Sequence, residues 1–298
     1  MQIKNLKDPI LVAPSPTPFN KDDSVNYSAI EKNVSKWLET PLTGFVLGSE
    51  NGEESFLSQE EKIKIVSTVS QVNSGEKIVI GGLDNPSTIE TIKESEKLVK
   101  SGTDLIRIRI PRNRDSVMPY FESVLDKIPV PVLVIHQMAP GNFDKFSTET
   151  GASSEDIGEI CSHPNVFGYI SSSLIRFEAK VKQHIPAEKK FWTCNGILTL
   201  PGVAIGANGA CMMFGNIAPK ISLDILSLAM NNQLDQAYEL HSSIIDADWN
   251  VLSSGAAGLK YALDLLGFEG GLPRSPMLEL NEKKKRLISE SLTKSGLI

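Results

Sequence analysis

The sequence predicts a (β/α)8 TIM barrel with a C-terminal helical extension, an α/β fold, on three observations. Eight short apolar runs recur as far as Phe214, stretches of helical period separate them, and 298 residues suit one such barrel. The runs are Ile10–Ala13, Gly44–Ser49, Ile78–Gly82, Asp104–Ile110, Val132–Gln137, Val166–Ser171, Phe191–Cys194 and Gly209–Phe214. Tyr27–Thr40, Gln59–Asn73, Ser87–Lys100 and Val117–Lys127 carry apolar residues at helical spacing. Gly, Pro, Asn or Ser marks most junctions. Continuous apolar strands alternating with amphipathic helices make a parallel sheet covered by helices on its outside. Eight such units favour a closed barrel over an open doubly wound sheet. The first strand is followed by no GxGxxG, which argues against a dinucleotide fold.

Residues 1–220 are expected to form the barrel and 221–298 a helical extension packed on it, the two making one structural domain. In the extension Leu234–Leu265 has apolar residues at helical spacing, Gly267–Pro273 reads as a turn, and Asn281–Ser295 as a last amphipathic helix. Met138–Ser154, after the fifth strand, is the longest irregular stretch. Loops at the carboxyl ends of barrel strands carry the chemistry, so it reads as a lid or specificity loop.

Thirty basic against 36 acidic residues give a net charge of −6, with no reason to expect nucleic acid or an anionic membrane as partner. Lys283-Lys284-Lys285 beside Glu282 reads as a solvated helix face. The first residues lack a signal-type apolar stretch and no run approaches membrane-spanning length, so a cytoplasmic setting is expected. Cys161, Cys194 and Cys211 have no CxxC spacing and read as reduced thiols. The four histidines form no metal motif, and no cofactor is indicated.

The C-terminal Ala257-Gly258-Leu259-Lys260-Tyr261-Ala262-Leu263-Asp264-Leu265-Leu266-Gly267, continued by Leu272-Pro273-Arg274-Ser275-Pro276, resembles the signature of the dihydrodipicolinate synthase / N-acetylneuraminate lyase family. Pro16-Thr17-Pro18-Phe19 resembles it too, as does Gly52-Glu53 followed by Phe56-Leu57-Ser58-Gln59-Glu60-Glu61. The seventh and eighth units match in Leu200–Gly209 and Asn216-Ile217-Ala218-Pro219. The likeness runs in order over essentially the whole chain. It implies lyase chemistry on a small oxo or hydroxy acid, and a homotetramer or homodimer.

Members of that family form an imine between a strand-six lysine and a 2-oxo acid, and the protonated imine serves as an electron sink. Here the strand reads Gly168-Tyr169-Ile170-Ser171-Ser172-Ser173, which puts Ile170 at the lysine position. Isoleucine cannot form an imine. The family's hydroxyl pair for the substrate carboxylate falls on Glu50 and Asn51, and its strand-four tyrosine on Asn113. The proton-relay tyrosine falls on Ile135 or His136, and the arginine of the next loop near Glu149.

Other polar groups stand in their place. Strand alternation sends Arg107 and Arg109 to one side of strand four, with Arg112 just beyond it. Two readings stay open for the arginines: an anion clamp, or an ion-pair network with Glu50, Asp84 or Glu149. His136 is the candidate general acid/base at the end of strand five, with Gln137 beside it as a substrate ligand. Ser171–Ser173 read either as ligands for a hydroxyl or oxyanion or as caps of the next helix, with the site favoured for Ser171 and the cap for Ser173, and Asn195 reads as a ligand for a hydroxyl or carbonyl. Lys145, in the long loop, is the one lysine that could swing into the mouth. A variant reading places a divalent cation on Glu50, Asp84, His136 or Glu149 in place of the imine.

Two functions follow. One is a divergent lyase, aldolase- or dehydratase-like, that works without the imine; Glu50, Asn51, Arg109 and Arg112 orient its substrate and His136 moves a proton. The other is a catalytically inactive paralogue that binds a metabolite or assembles with a catalytic homologue. Polar groups converging on an open cavity favour the first. A mouth plugged by arginine–carboxylate pairs favours the second.

Overall fold

Each of the eight apolar runs forms a strand, and the eight close in chain order into a parallel barrel. The computed structural model of the chain describes residues 6–85, 87–136 and 151–298. The strands are β1 Ile10–Pro14, β2 Gly44–Leu47, β3 Ile78–Leu83, β4 Leu105–Arg109, β5 Val132–Ile135, β6 Val166–Ile170, β7 Lys190–Thr193 and β8 Gly209–Cys211. Seven helices connect them: α1 Tyr27–Leu38, α2 Gln59–Asn73, α3 Thr88–Lys100, α4 Val117–Val124, α5 Ser154–Ser162, α6 Ile175–Lys182 and α7 Thr199–Ala204. Helix starts follow local chemistry, as where the Ser58 hydroxyl takes the Glu61 N–H and the Glu61 carboxylate takes that of Ser58 at the head of α2.

Side-chain alternation divides the apolar residues of the strands into two layers. Ile10, Val12, Val46, Ile78, Ile80, Leu105, Leu133, Ile170 and Trp192 fill the barrel interior. Leu11, Ala13, Phe45, Val79, Ile106, Ile108, Val134 and Tyr169 face outward and pack beneath the helices. Both faces of every strand are thus covered, which is why the strands read as unbroken apolar runs.

After β8 come α8 Pro219–Met230, α9 Leu234–Leu252, α10 Gly255–Leu265 and α11 Glu282–Lys294. The single helical pattern expected over Leu234–Leu265 is two helices. The chain breaks at Ser253-Ser254, and Gly255 takes φ 62°, a left-handed value that costs glycine little. No helix among the described residues is long and apolar enough to cross a membrane. Of the Met138–Ser154 stretch, residues 138–150 lie outside the described residues.

Three of the motifs that carry the family resemblance, the C-terminal signature, Pro16–Phe19 and Gly52–Glu61, meet at one junction between the barrel mouth and the extension. Lys260 on α10 forms an ion pair with Glu53 in the loop after β2, their side chains only 2% and 1% exposed. The same ammonium donates to Leu272 O at 2.7 Å and lies 4.6 Å from the centre of the Phe19 ring. Glu53 also accepts the Arg274 N–H at 2.9 Å, and the Arg274 guanidinium holds both oxygens of Glu61 at 2.7 and 2.8 Å. The charges are costly to bury, and each is offset by its partner and by the added hydrogen bonds. Glu53→Ala therefore strands the Lys260 ammonium and should destabilise the fold by about 3–5 kcal/mol. The double variant Glu53→Ala with Lys260→Met should lose less, and the two midpoints in urea denaturation make the comparison.

Candidate active site

The carboxyl ends of the strands surround a cavity of about 500 Å³, within the usual range for a small-molecule site. One wall comes from the turn after β2. Ser49, Glu50 and Asn51 line the cavity there, with Ser49 buried and Glu50 exposed at the mouth. His136 follows β5 and is buried at 3% exposure, its ring 5.5 Å from that of Phe177 on α6. The opposite wall is the serine run after β6, Ser171–Ser173, with Asn195 after β7 beside it. The extension supplies the cover through Leu252, Gly255, Ala256 and Met277.

Ile170, the last residue of β6, points into the barrel interior and is fully buried. No lysine is among the described residues that line the cavity. Ser171 N–H donates to Trp192 O at 2.8 Å, which continues the strand ladder one residue past β6 and brings Ser171 to the cavity. Ser173 does not cap α6. That helix starts at Ile175 with Leu174 in the cap position, so the serine stands one residue too early and lines the cavity instead.

Strand alternation places Arg107 and Arg109 inside the barrel as expected, but both are engaged by carboxylates. Arg107, 2% exposed, donates through Nη2 to Gly48 O at 3.0 Å and to Asp84 at 3.1 Å. Arg109 bridges Glu54 at 3.1 Å and Asp84 at 3.0 Å. Gly82 makes room for this: a Cβ there would fall 2.6 Å from Arg107 Nη2 and 2.0 Å from Gly48 O. The ion-pair reading of the arginines thus describes their contacts, with Glu54 where Glu50 or Glu149 was expected. The network stands in the β2–β4 wall and leaves the cavity open. Arg107, one layer deeper than Arg109, lines the cavity, whereas Arg109 does not. Its position was readable from alternation, but its value for a ligand depends on which partners consume its charge.

Arg112 is exposed beyond β4 and is not among the cavity residues. Asn113 accepts the Asp115 N–H at 3.2 Å in the following turn. Gln137, Lys145 and Glu149 lie outside the described residues. Among those described, no group of three His, Cys, Asp or Glu side chains converges as a metal site. The cavity thus unites Glu50, Asn51, His136, Ser171 and Asn195. Sequence reasoning missed Ser49, which carried no motif, and the apolar cover from the extension.

Glu54 and Asp84 share more than their arginines. Burial, with the neighbouring Asp84 carboxylate, pushes the Glu54 carboxyl up to about 8, while the two guanidinium groups hold Asp84 down at about 2. Near neutral pH Glu54 therefore keeps a proton and donates it in a hydrogen bond to ionised Asp84. Two guanidinium charges then face one carboxylate charge, and the excess positive charge sits in the cavity wall.

Because the folded pKa of Glu54 lies above its ordinary value, its contribution to stability is complete below about pH 4.5 and is lost as pH rises through about 8. The contribution of Asp84 has the opposite sign, lost as pH falls from about 4 towards 2. Glu54→Gln imitates the protonated acid. Its melting temperature should match that of the unaltered protein near pH 5 and exceed it near pH 9, which thermal melts across that range will show.

A family model, the dihydrodipicolinate synthetase family, matches residues 8–295. A 4-hydroxy-tetrahydrodipicolinate synthase of Archaeoglobus fulgidus is 26% identical, covering 95% of this chain and 96% of that one. A probable mitochondrial 4-hydroxy-2-oxoglutarate aldolase of Emericella nidulans is also 26% identical, covering 96% of this chain and 94% of that one. Among solved structures, a dihydrodipicolinate synthase of Cyanidioschyzon merolae with lysine bound superposes with a TM-score of 0.89. It is 19% identical and covers 97% of this chain and 99% of that one.

Proposed function

Since the chain belongs to the dihydrodipicolinate synthetase family, we propose that its cavity is the active site of a lyase acting on a small oxo or hydroxy acid without a lysine imine. The observation that carries this reading is the cavity itself: open, about 500 Å³, and lined by convergent polar groups at the carboxyl ends of the strands. The excess positive charge at Arg107 favours an anionic ligand. The Asn51 amide and Ser49 hydroxyl offer donors to its carboxylate on one wall, and Ser171 and Asn195 to a developing oxyanion on the other. His136 stands between them as the proton carrier.

Among the described residues, imine chemistry has no residue to run on. Ile170 occupies the end of β6 where the family resemblance places the lysine, and Lys260, buried near the mouth, is held by Glu53. Enolate stabilisation then falls to hydrogen-bond donors aimed at the developing oxyanion. A second reading, ligand binding without chemistry, draws on the same missing lysine. In either case a homo-oligomer acting in the cytoplasm fits the family.

The test is borohydride reduction in the presence of pyruvate and other 2-oxo acids, read by intact mass beside an imine-forming relative. The relative should gain the mass of each reduced adduct and this protein none. An adduct here would overturn the reading, and peptide mapping would then show whether Lys145 carries it. Where a substrate is turned over, His136→Asn should lower kcat by about 10²–10⁴-fold. Turnover by none of the acids, with thermal stabilisation by one of them, would select binding without chemistry.

A further inference from the structure

Behind the serine wall lies a buried carboxyl that the proposed chemistry does not use. Glu178, in the first turn of α6, is 0% exposed. Its Oε1 accepts the Ser172 N–H at 2.7 Å and the Tyr169 hydroxyl at 3.2 Å. The Ser172 hydroxyl is near enough to favour the ionised carboxylate, and Oε2 is left without a hydrogen-bond partner. Ser172 itself forms part of the cavity wall. The preceding residue, Phe177, packs on His136, so one helical turn backs both sides of the candidate site.

A carboxylate can only accept hydrogen bonds, whereas a carboxylic acid donates one. With Glu178 ionised, the Ser172 hydroxyl turns inward to donate to it and shows the cavity only acceptor lone pairs. With Glu178 protonated, the acid proton on Oε2 satisfies the Ser172 oxygen from behind, and the hydroxyl proton turns to the cavity. We propose that Glu178 is a positioning residue that sets the hydrogen-bond polarity of the serine wall, so that an anionic ligand is held more tightly while Glu178 carries its proton. This rests on the cavity being a site for a small acid.

Burial lifts the Glu178 carboxyl to about 7, which places the switch near neutral pH. The titratable groups around it are Tyr169 on β6, Cys161 on α5 and Cys194 after β7, with Asp248 of α9 acting on Cys194. Burial holds both thiols and the phenol in their neutral forms at this pH. Burial raises Asp248 to about 6. His136 lies against Phe177. In the far wall Glu54, raised to about 8 by burial, changes charge in the same range, and variants at Glu54 and Glu178 separate the two.

The experiment joins an NMR titration to ligand binding, in the unaltered chain and in Glu178→Gln. The glutamine keeps an acceptor for Ser172 N–H and donates through Nε2 to the Ser172 oxygen, which locks the wall in its donating state. The Ser172 amide resonance should titrate near pH 7 in the unaltered protein and stay fixed in the variant. Glu54 loses its proton over the same range, so the binding arm is run in a Glu54→Gln background, which holds that group neutral. There pyruvate, as the probe, should bind about fivefold or more weakly at about pH 8.5 than at about pH 6, a coupling of ordinary size, and adding Glu178→Gln should remove that loss. Ser172→Ala in the same background, which keeps the Glu178 carboxyl, should remove it as well.

An amide that does not titrate, or a loss of affinity equally steep with and without Glu178→Gln in that background, would overturn the proposal. Pyruvate that binds at neither pH, with an amide that still titrates, would count against the small-acid reading and leave the Glu178–Ser172 coupling standing.

Discussion

The organisation of the cavity depends on one buried cation. Arg107 sits where the other strands place Val46, Ile80 or Leu133, and a guanidinium there is tolerated only with its partners in place. Asp84 answers its charge, Gly82 leaves it space, and Glu54 keeps a proton so that two carboxyls can approach one another. The barrel interior therefore changes character across its section. It is hydrocarbon at the level of Leu105 and a hydrogen-bonded ionic layer above it, and the cavity opens on that layer.

The fold was legible because burial on both faces writes itself into composition. All eight strands lie within one to three residues of the apolar runs, and α2 starts and stops where its pattern does. The long C-terminal pattern misled only where a serine pair and a left-handed glycine interrupt it, since helical periodicity carries across a short break almost unchanged. The site was legible in part. Position along a strand places His136, Ser171 and Asn195 at the mouth, because the end of a strand is a matter of counting. The fate of Arg109 was not legible, because its partners Glu54 and Asp84 come from two other strand ends, 55 and 25 positions away in the chain. Glu178 was silent for a similar reason: nothing marks one helical glutamate as buried until Tyr169 and Ser172 are seen to surround it.

The recognisable motifs and most of the cavity residues occupy different places, and they meet at Glu53 and Phe56. Pro18-Phe19, Glu53, Lys260 and Leu272–Arg274 converge on a junction that fastens the extension to the mouth, and their interactions are with one another. They report how the chain is built. The residues facing the cavity report what it handles, and the proposed loss of imine chemistry rests on them alone. A fold can be inherited whole while its chemistry changes.

The break between α9 and α10 has a consequence of this kind. It lets Leu252, Gly255 and Ala256 turn over the cavity from outside the barrel, joined by Met277 from the segment before α11. One side of the enclosure thus belongs to chain that contributes no strand and carries none of the ionic layer. Changes of size or shape in that cover can alter which molecules enter while the closed sheet keeps its own order. The protein has, in effect, a chassis and an exchangeable hood, and variation can explore the second without risking the first.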